Sequence, residues 1–222
     1  MTEPAGGGDR LGWRCSAAAL GLLLILSCRA IFPREETPAP DSPEALPGFT
    51  RLTRGARTLY EDPSWSPDGE RIVYSRTVWG LPDPDPATSE IYGMDLLTGG
   101  TRQLTSNSHE DREPDWSPDG SRIVFVRDRF RLISIAPDGS DERVLFECPK
   151  DCESPKWSPD GRQVAFSTDT IWLMDADGAN ARKLPLKSFS YAAVVTWSPD
   201  GTRLAFIAVE ATSSSGEAVP PR

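Results

Sequence analysis

Side chains that could do chemistry gather at three kinds of place in this chain of 222 residues. The run SNSHEDR sets His109, the one histidine, beside Glu110 and Asp111. An imidazole among carboxylates is the material of a general base or a metal ligand. Catalysis would also need a nucleophile, and the sequence has no G-x-S-x-G elbow; a zinc site would need further ligands at set spacing. His109 therefore reads as a solvated loop residue that serves binding. Cys148 and Cys152, in ECPKDCESP, lack the second ligand pair of a structural zinc site. They read as a local disulfide in an oxidising compartment, with free thiols as the alternative. DADGAN at 175–180 is similar to the start of an EF-hand loop but misses its spacing and its closing glutamate, so it reads as a hairpin turn. No catalytic residue, metal or cofactor is expected.

Four more carboxylates, Asp68, Asp119, Asp160 and Asp200, recur inside one pentapeptide, WSPDG. Proline presets the first corner of a type I turn, Asp tolerates the second, and Gly69, Gly120, Gly161 and Gly201 take the left-handed position that follows. These acids are turn formers. The tryptophans that open the motif, Trp65, Trp116, Trp157 and Trp197, are 51, 41 and 40 residues apart, the length of a propeller blade. After each turn comes a short apolar run: RIVYSR, RIVFVR, QVAFS and RLAFIA. EIYGMD, RLISIA and TIWLMD follow as third strands, and RQLT, RVLF and RKLP as fourth strands. Each unit reads as a four-stranded antiparallel meander, with its Trp in the core between blades.

The pattern P-x-W-S-P-D-G, then I-[YW]-x-M-D and R-x-L-[TP], resembles the TolB-like, WD-repeat-like β-propeller family, whose repeat also occurs in tricorn-type and prolyl-oligopeptidase-type peptidases. The resemblance implies an all-β propeller with three complete blades and a partial fourth, over residues 49–209. FTRLT at 49–53 resembles a lone outermost strand. Three arrangements stay open: FTRLT closes a small four-bladed ring, two chains combine into a larger ring, or the propeller is partial with an open edge that invites self-association.

In such a meander the WSPDG turns share one face, and the longer connections, 77–89, 106–112, 147–154 and 186–194, share the other. Length and sequence vary there while the scaffold repeats, as on a recognition surface. Trp79, His109, Glu110, Asp111, Lys150, Phe189 and Tyr191 are the candidate binding residues: aromatic anchors within a charged rim.

Residues 1–28 read as an export signal, because the apolar run between Arg14 and Arg29 is too short to span a bilayer. ILSC resembles a lipobox, so lipidation at Cys28 with a membrane tether, simple cleavage, and a retained anchor all remain open. Residues 29–48 read as a proline-rich linker and 210–222 as a disordered tail. A net charge of -9 without clustered cations argues against nucleic acid as a partner. The expected function is a non-enzymatic, exported protein- or peptide-binding propeller of a bacterial envelope. The alternative is a propeller piece of a peptidase-type hydrolase or a small propeller enzyme.

Overall fold

The computed structural model describes residues 50–55, 57–79 and 89–210. The segments expected to be an export signal, a linker and a disordered tail, with Cys28, lie outside the described residues. All regular structure among those described is strand.

Three four-stranded antiparallel sheets follow one another, and then one of two strands. Blade one is β1 (Thr58–Trp65), β2 (Arg71–Val78), β3 (Ser89–Asp95) and β4 (Thr101–Gln103). Blade two is β5 (Asp111–Trp116), β6 (Ile123–Arg127), β7 (Arg131–Ile135) and β8 (Arg143–Glu147). Blade three is β9 (Glu153–Trp157), β10 (Gln163–Ser167), β11 (Ile171–Asp175) and β12 (Arg182–Lys183). The partial fourth is β13 (Phe189–Trp197) with β14 (Leu204–Glu210). Within each blade the strands pair in chain order, as hairpins must.

The WSPDG turns have the same construction four times. The amide of each glycine donates to the carbonyl of the motif's serine at 2.8 to 2.9 Å, and the glycines sit at φ between 69° and 72°. Each serine hydroxyl donates to the Asp carboxylate, at 2.5 Å in Ser66 and Ser198 and 2.6 Å in Ser117 and Ser158. That bond, aided by the amide two residues on, holds all four carboxyls below their ordinary value, Asp200 to about 2. The turn aspartates are thus committed to the turn.

Blades pack face to face, and the tryptophan sets the contact. Trp116 is buried with Val73 and Ile91 of blade one against Ile123, Phe125 and Ile133 of its own blade. Trp157 does the same between blades two and three, among Val124, Leu132 and Phe166, and Trp197 packs part-buried against Ala165 and Leu173 of blade three. Trp65 departs from the expected core position. It is 62% exposed, because no described blade precedes it to provide the receiving face. The sequence motif is local, but the burial of its tryptophan depends on a neighbour.

A second connection runs along the innermost strands, β1, β5, β9 and β13. Each contains a residue in the left-handed region three places before the tryptophan: Asp62 (φ 52°), Glu113 (56°), Ser154 (52°) and Val194 (54°). The register of the strand pair shifts at or beside each of these points, so every inner strand has a β-bulge. A bulge leaves its own amide out of the ladder. The preceding blade supplies the acceptor: a Glu113 carboxylate oxygen receives the Ser154 amide, and Ser75 Oγ, whose own hydroxyl turns to Asp62 at 3.5 Å, receives the Glu113 amide at 3.0 Å. One step further along, Ser64 Oγ accepts from the Trp116 amide at 3.3 Å and Asp115 Oδ2 from the Trp157 amide at 2.9 Å. On the opposite side of the blades, Gly178 (φ 91°) brings its turn so close to blade two that a Cβ there would lie 2.3 Å from the Leu145 carbonyl oxygen.

Thr50–Thr53 form no strand, which corrects the reading of FTRLT as an outermost strand. The chain just after it is tied to blade one through the Tyr60 hydroxyl, which donates to the Arg54 carbonyl at 3.0 Å. Among the described residues β14 pairs with β13 alone.

Asp115 binds two blades at once, accepting from Ser64 at 3.2 Å, Lys156 Nζ at 3.0 Å and the Trp157 amide. Replacing it by Ala strands a buried amide and the Lys156 ammonium. Asp115→Ala is expected to lower the free energy of unfolding by about 2–4 kcal/mol in urea denaturation, with Asp115→Asn milder.

Candidate recognition face

The face opposite the WSPDG turns is built from the connectors between blades and the short hairpins that join second to third strands. The hairpin Asp128–Arg129 (φ 52° and 65°) is a tight primed turn, closed by the Phe130 amide on the Arg127 carbonyl at 3.1 Å. The connector after blade two clasps this hairpin. Cys148 N donates to the Phe130 carbonyl at 2.7 Å and Cys152 N to the Arg129 carbonyl at 2.6 Å. Cys148 and Cys152 form a disulfide with a Cα separation of 6.1 Å, so the clasp is covalently closed. Phe130, held by it, is 51% exposed.

The residues expected at this face are divided by the structure. Trp79 stands at the end of β2, 45% exposed, with its amide on the Arg57 carbonyl at 2.8 Å. His109 Nδ1 lies 2.7 Å from Asp128, which also receives Arg131 at 2.8 Å. Partial burial pushes the Asp128 carboxyl up, but the Glu110 amide, Arg131 and His109 together hold it below the ordinary value. Glu110 pairs with Arg112 at 3.0 Å, and Lys150 with Asp169 of the next blade's hairpin, whose carboxyl the ammonium lowers.

Asp111 is a correction to the binding set. It is fully buried, gripping Arg127 through both oxygens at 2.7 and 2.9 Å and accepting from Asn107 at 2.9 Å, so it fixes the connector from inside. Phe189 and Tyr191 are corrections of another kind. The segment taken as a loop is strand β13, where Phe189 meets Phe206 edge-on at 6.0 Å. The apolar AAVVTW at 192–197, with Val194 where the other inner strands have Asp, Glu or Ser, concealed that strand.

Tyr191 instead belongs to a site the sequence reading missed. The innermost strands, those nearest a propeller's axis, bring Glu61, Asp62, Arg112, Glu113, Glu153 and Lys156 within electrostatic reach of one another. Burial is the leading cause that pushes up the carboxyls of Glu61, Asp62, Glu113 and Glu153; Asp62, which keeps one side open, adds to the rise at Glu61 and Glu113. Burial also raises the Tyr191 phenol, with Glu153 adding to it. Carboxylates packed this way favour an approaching positive group. The recurring four residues before each tryptophan, in EDPSW, REPDW and ESPKW at 61–65, 112–116 and 153–157, were the available signal. Asp128, Phe130 and Asp169 were missed because their hairpins are too short to look like loops. Among the described residues no group of three or more His, Cys, Asp or Glu side chains is placed to hold a metal ion.

No protein-family model matches the chain. Two curated peptidases share parts of it: the uncharacterized peptidase YuxL of Bacillus subtilis, 33% identical over 92 residues, and dipeptidyl-peptidase 5 of Porphyromonas endodontalis, 30% over 89. Those matches take up 40% and 39% of this chain but 14% and 13% of the peptidases. Among solved structures, TolB of Acinetobacter baumannii superposes with a TM-score of 0.59 at 22% identity, over 72% of this chain and 40% of that one. A TolB-type protein of Agrobacterium tumefaciens gives 0.58 at 25%, over 72% and 61%.

Two outcomes follow from the geometry. Reducing the disulfide, or Cys152→Ser, is expected to cost about 2 kcal/mol by the loop-closure term, with faster amide exchange at Arg129–Arg131 read by mass spectrometry. Glu113→Gln keeps the acceptor for Ser154 and removes the buried charge. A raised carboxyl favours the folded state once protonated: that gain is complete below the unfolded value of 4.5 and lost as pH rises through the folded one. Glu113→Gln should therefore melt above the wild type at neutral pH, and the difference should vanish as the pH falls to 4.5.

Proposed function

We infer that this chain, a run of TolB-like β-propeller blades, is a non-enzymatic module that binds a protein or peptide through the face opposite its WSPDG turns. The observation that carries the reading is the display of two aromatic residues on the face where the acidic inner strands begin: Phe130, half exposed on the hairpin clasped by the disulfide, and Trp79, 45% exposed at the end of β2. Rigid aromatic anchors lose little entropy on binding and are the residue types that dominate protein interfaces. The carboxylates of the axis suit a basic or neutral partner over an acidic one. His109, Glu110 and Lys150, each in an ion pair at the surface, supply the polar rim.

The reading extends to the whole chain as follows. Residues 1–28 direct export and residues 29–48 act as a stalk. The propeller lies in the periplasm or at the cell surface, tethered through Cys28 if that cysteine is lipidated. The likeness to TolB structures supports the propeller itself, and the leader-like residues 1–28 support export.

A second reading rests on the peptidase similarity: the blades would then be the propeller part of a peptidase-type protein. One experiment separates the two. The purified chain is used to select from a displayed peptide library, in parallel with the Trp79→Ala/Phe130→Ala double variant. Binding without cleavage, weakened at least about tenfold in the double variant at an unchanged melting temperature, is the expected result. Equal selection by both proteins would remove the assigned face, and cleaved peptides would favour the second reading.

A further inference from the structure

Three of the four sheets end in an outer strand that discourages pairing. β4 has three residues with Arg102 at its centre, β12 is Arg182-Lys183, and β8 carries Arg143 and Glu147 at its ends. Short or charged edges are how folded proteins keep unpaired backbone from templating on another chain. β14 has neither protection. Its seven residues, LAFIAVE, are uncharged as far as Val209, and among the described residues they pair on one side only. In the other blades the corresponding strand, β2, β6 or β10, is paired on both sides.

Ile207 is 62% exposed, whereas Ser75 and Val126, at the same place in the first two blades, are 1% and 3% exposed under the blade that follows each of them. Ile207 has no described blade over it, so an apolar side chain stands open on the unpaired strand. Val194 and Val209 stand open beside it. The following sequence, ATSSSGEAVPPR, has none of the apolar alternation of EIYGMD, RLISIA or TIWLMD, so it does not read as a third strand.

We propose that β14 pairs antiparallel with β14 of a second copy of this chain about a two-fold axis. The strands β13 and β14 and their symmetry mates then form one four-stranded blade shared by two protomers. The strand count is the first argument, since two and two make the four of every other sheet. Self-complementarity is the second. With the axis at Ile207, that residue faces its own copy and Ala205 faces Val209 of the partner subunit, so the open side becomes a continuous apolar stripe. This is an isologous contact, closed by its own symmetry.

The test uses the full chain with Cys15 and Cys28 changed to Ser. Analytical ultracentrifugation over a wide concentration range should show a reversible monomer–dimer equilibrium. Ile207→Lys should abolish the dimer and leave the melting curve of the dilute protein unchanged. Directly opposed residues lie about 4.5–5.5 Å apart, so Ile207→Cys should cross-link on oxidation. Val209→Cys alone should not, because its own copy lies about 13 Å away along the strand. Val209→Cys with Ala205→Cys should cross-link again. A monomer at every concentration, a dimer that survives Ile207→Lys, or cross-linking through Val209→Cys alone would each overturn the proposal. If Ile207→Lys fails to fold, the cysteine series decides on its own.

Discussion

Everything in this molecule leans on one contact, the insertion of a tryptophan from one blade into the apolar face of the blade before it. A single blade cannot bury its own sheet. Val73 and Ile91 need Trp116, and Val124 and Leu132 need Trp157. Trp65, in the same pentapeptide but without a described predecessor, stays in water. The hydrophobic contribution is thus a property of the junction and not of the repeat, as nearest-neighbour accounts of repeat proteins require. The inner-strand bulges add specificity to that contact. A bulged amide has no partner in its own sheet, and a junction that slipped by one residue would leave the Ser154 and Trp157 amides without their carboxylates.

The same arrangement explains why the acidic character of the chain concentrates near the axis. Carboxylates are the acceptors that hold the inner strands together, and three blades' worth of them meet in a confined space. Their mutual repulsion and desolvation oppose folding, which the raised carboxyls of Asp62 and Glu113 record. Lys156 and Arg112 offset part of it. The cluster thus carries more carboxylates than cations, a bias that suits a positively charged partner.

The architecture was readable in the residues because WSPDG determines its own turn. Pro, Asp and Gly each have a local reason to be there, and four copies at blade spacing leave little room for another fold. Burial was less readable, since Trp65 and Trp116 are identical locally and differ only in what precedes them. The site was half legible. Trp79 and His109 could be assigned to the variable face by counting strands. Asp111 could not be recognised as an internal brace, because Arg127, its partner, is sixteen residues away across the sheet. Phe189 and Tyr191 were misplaced because β13 has lost the polar bulge residue seen in the other blades and has Val194 there.

That replacement gives the stack a direction. Ser75, bonded to Asp62, serves the amide of Glu113, and Glu113 serves that of Ser154, but a serine and then a valine stand at the next bulges, and the relay of carboxylates ends. A β-branched residue held at φ 54° also carries conformational strain that the others, with polar side chains suited to that region, largely avoid. The last junction therefore lacks the relay and is held by apolar packing and by the Trp197 indole on the Lys156 carbonyl at 3.1 Å. Thermal opening should begin at the fourth blade, whose sheet has two strands where the others have four, so that the molecule unravels from one end like a ratchet run in reverse.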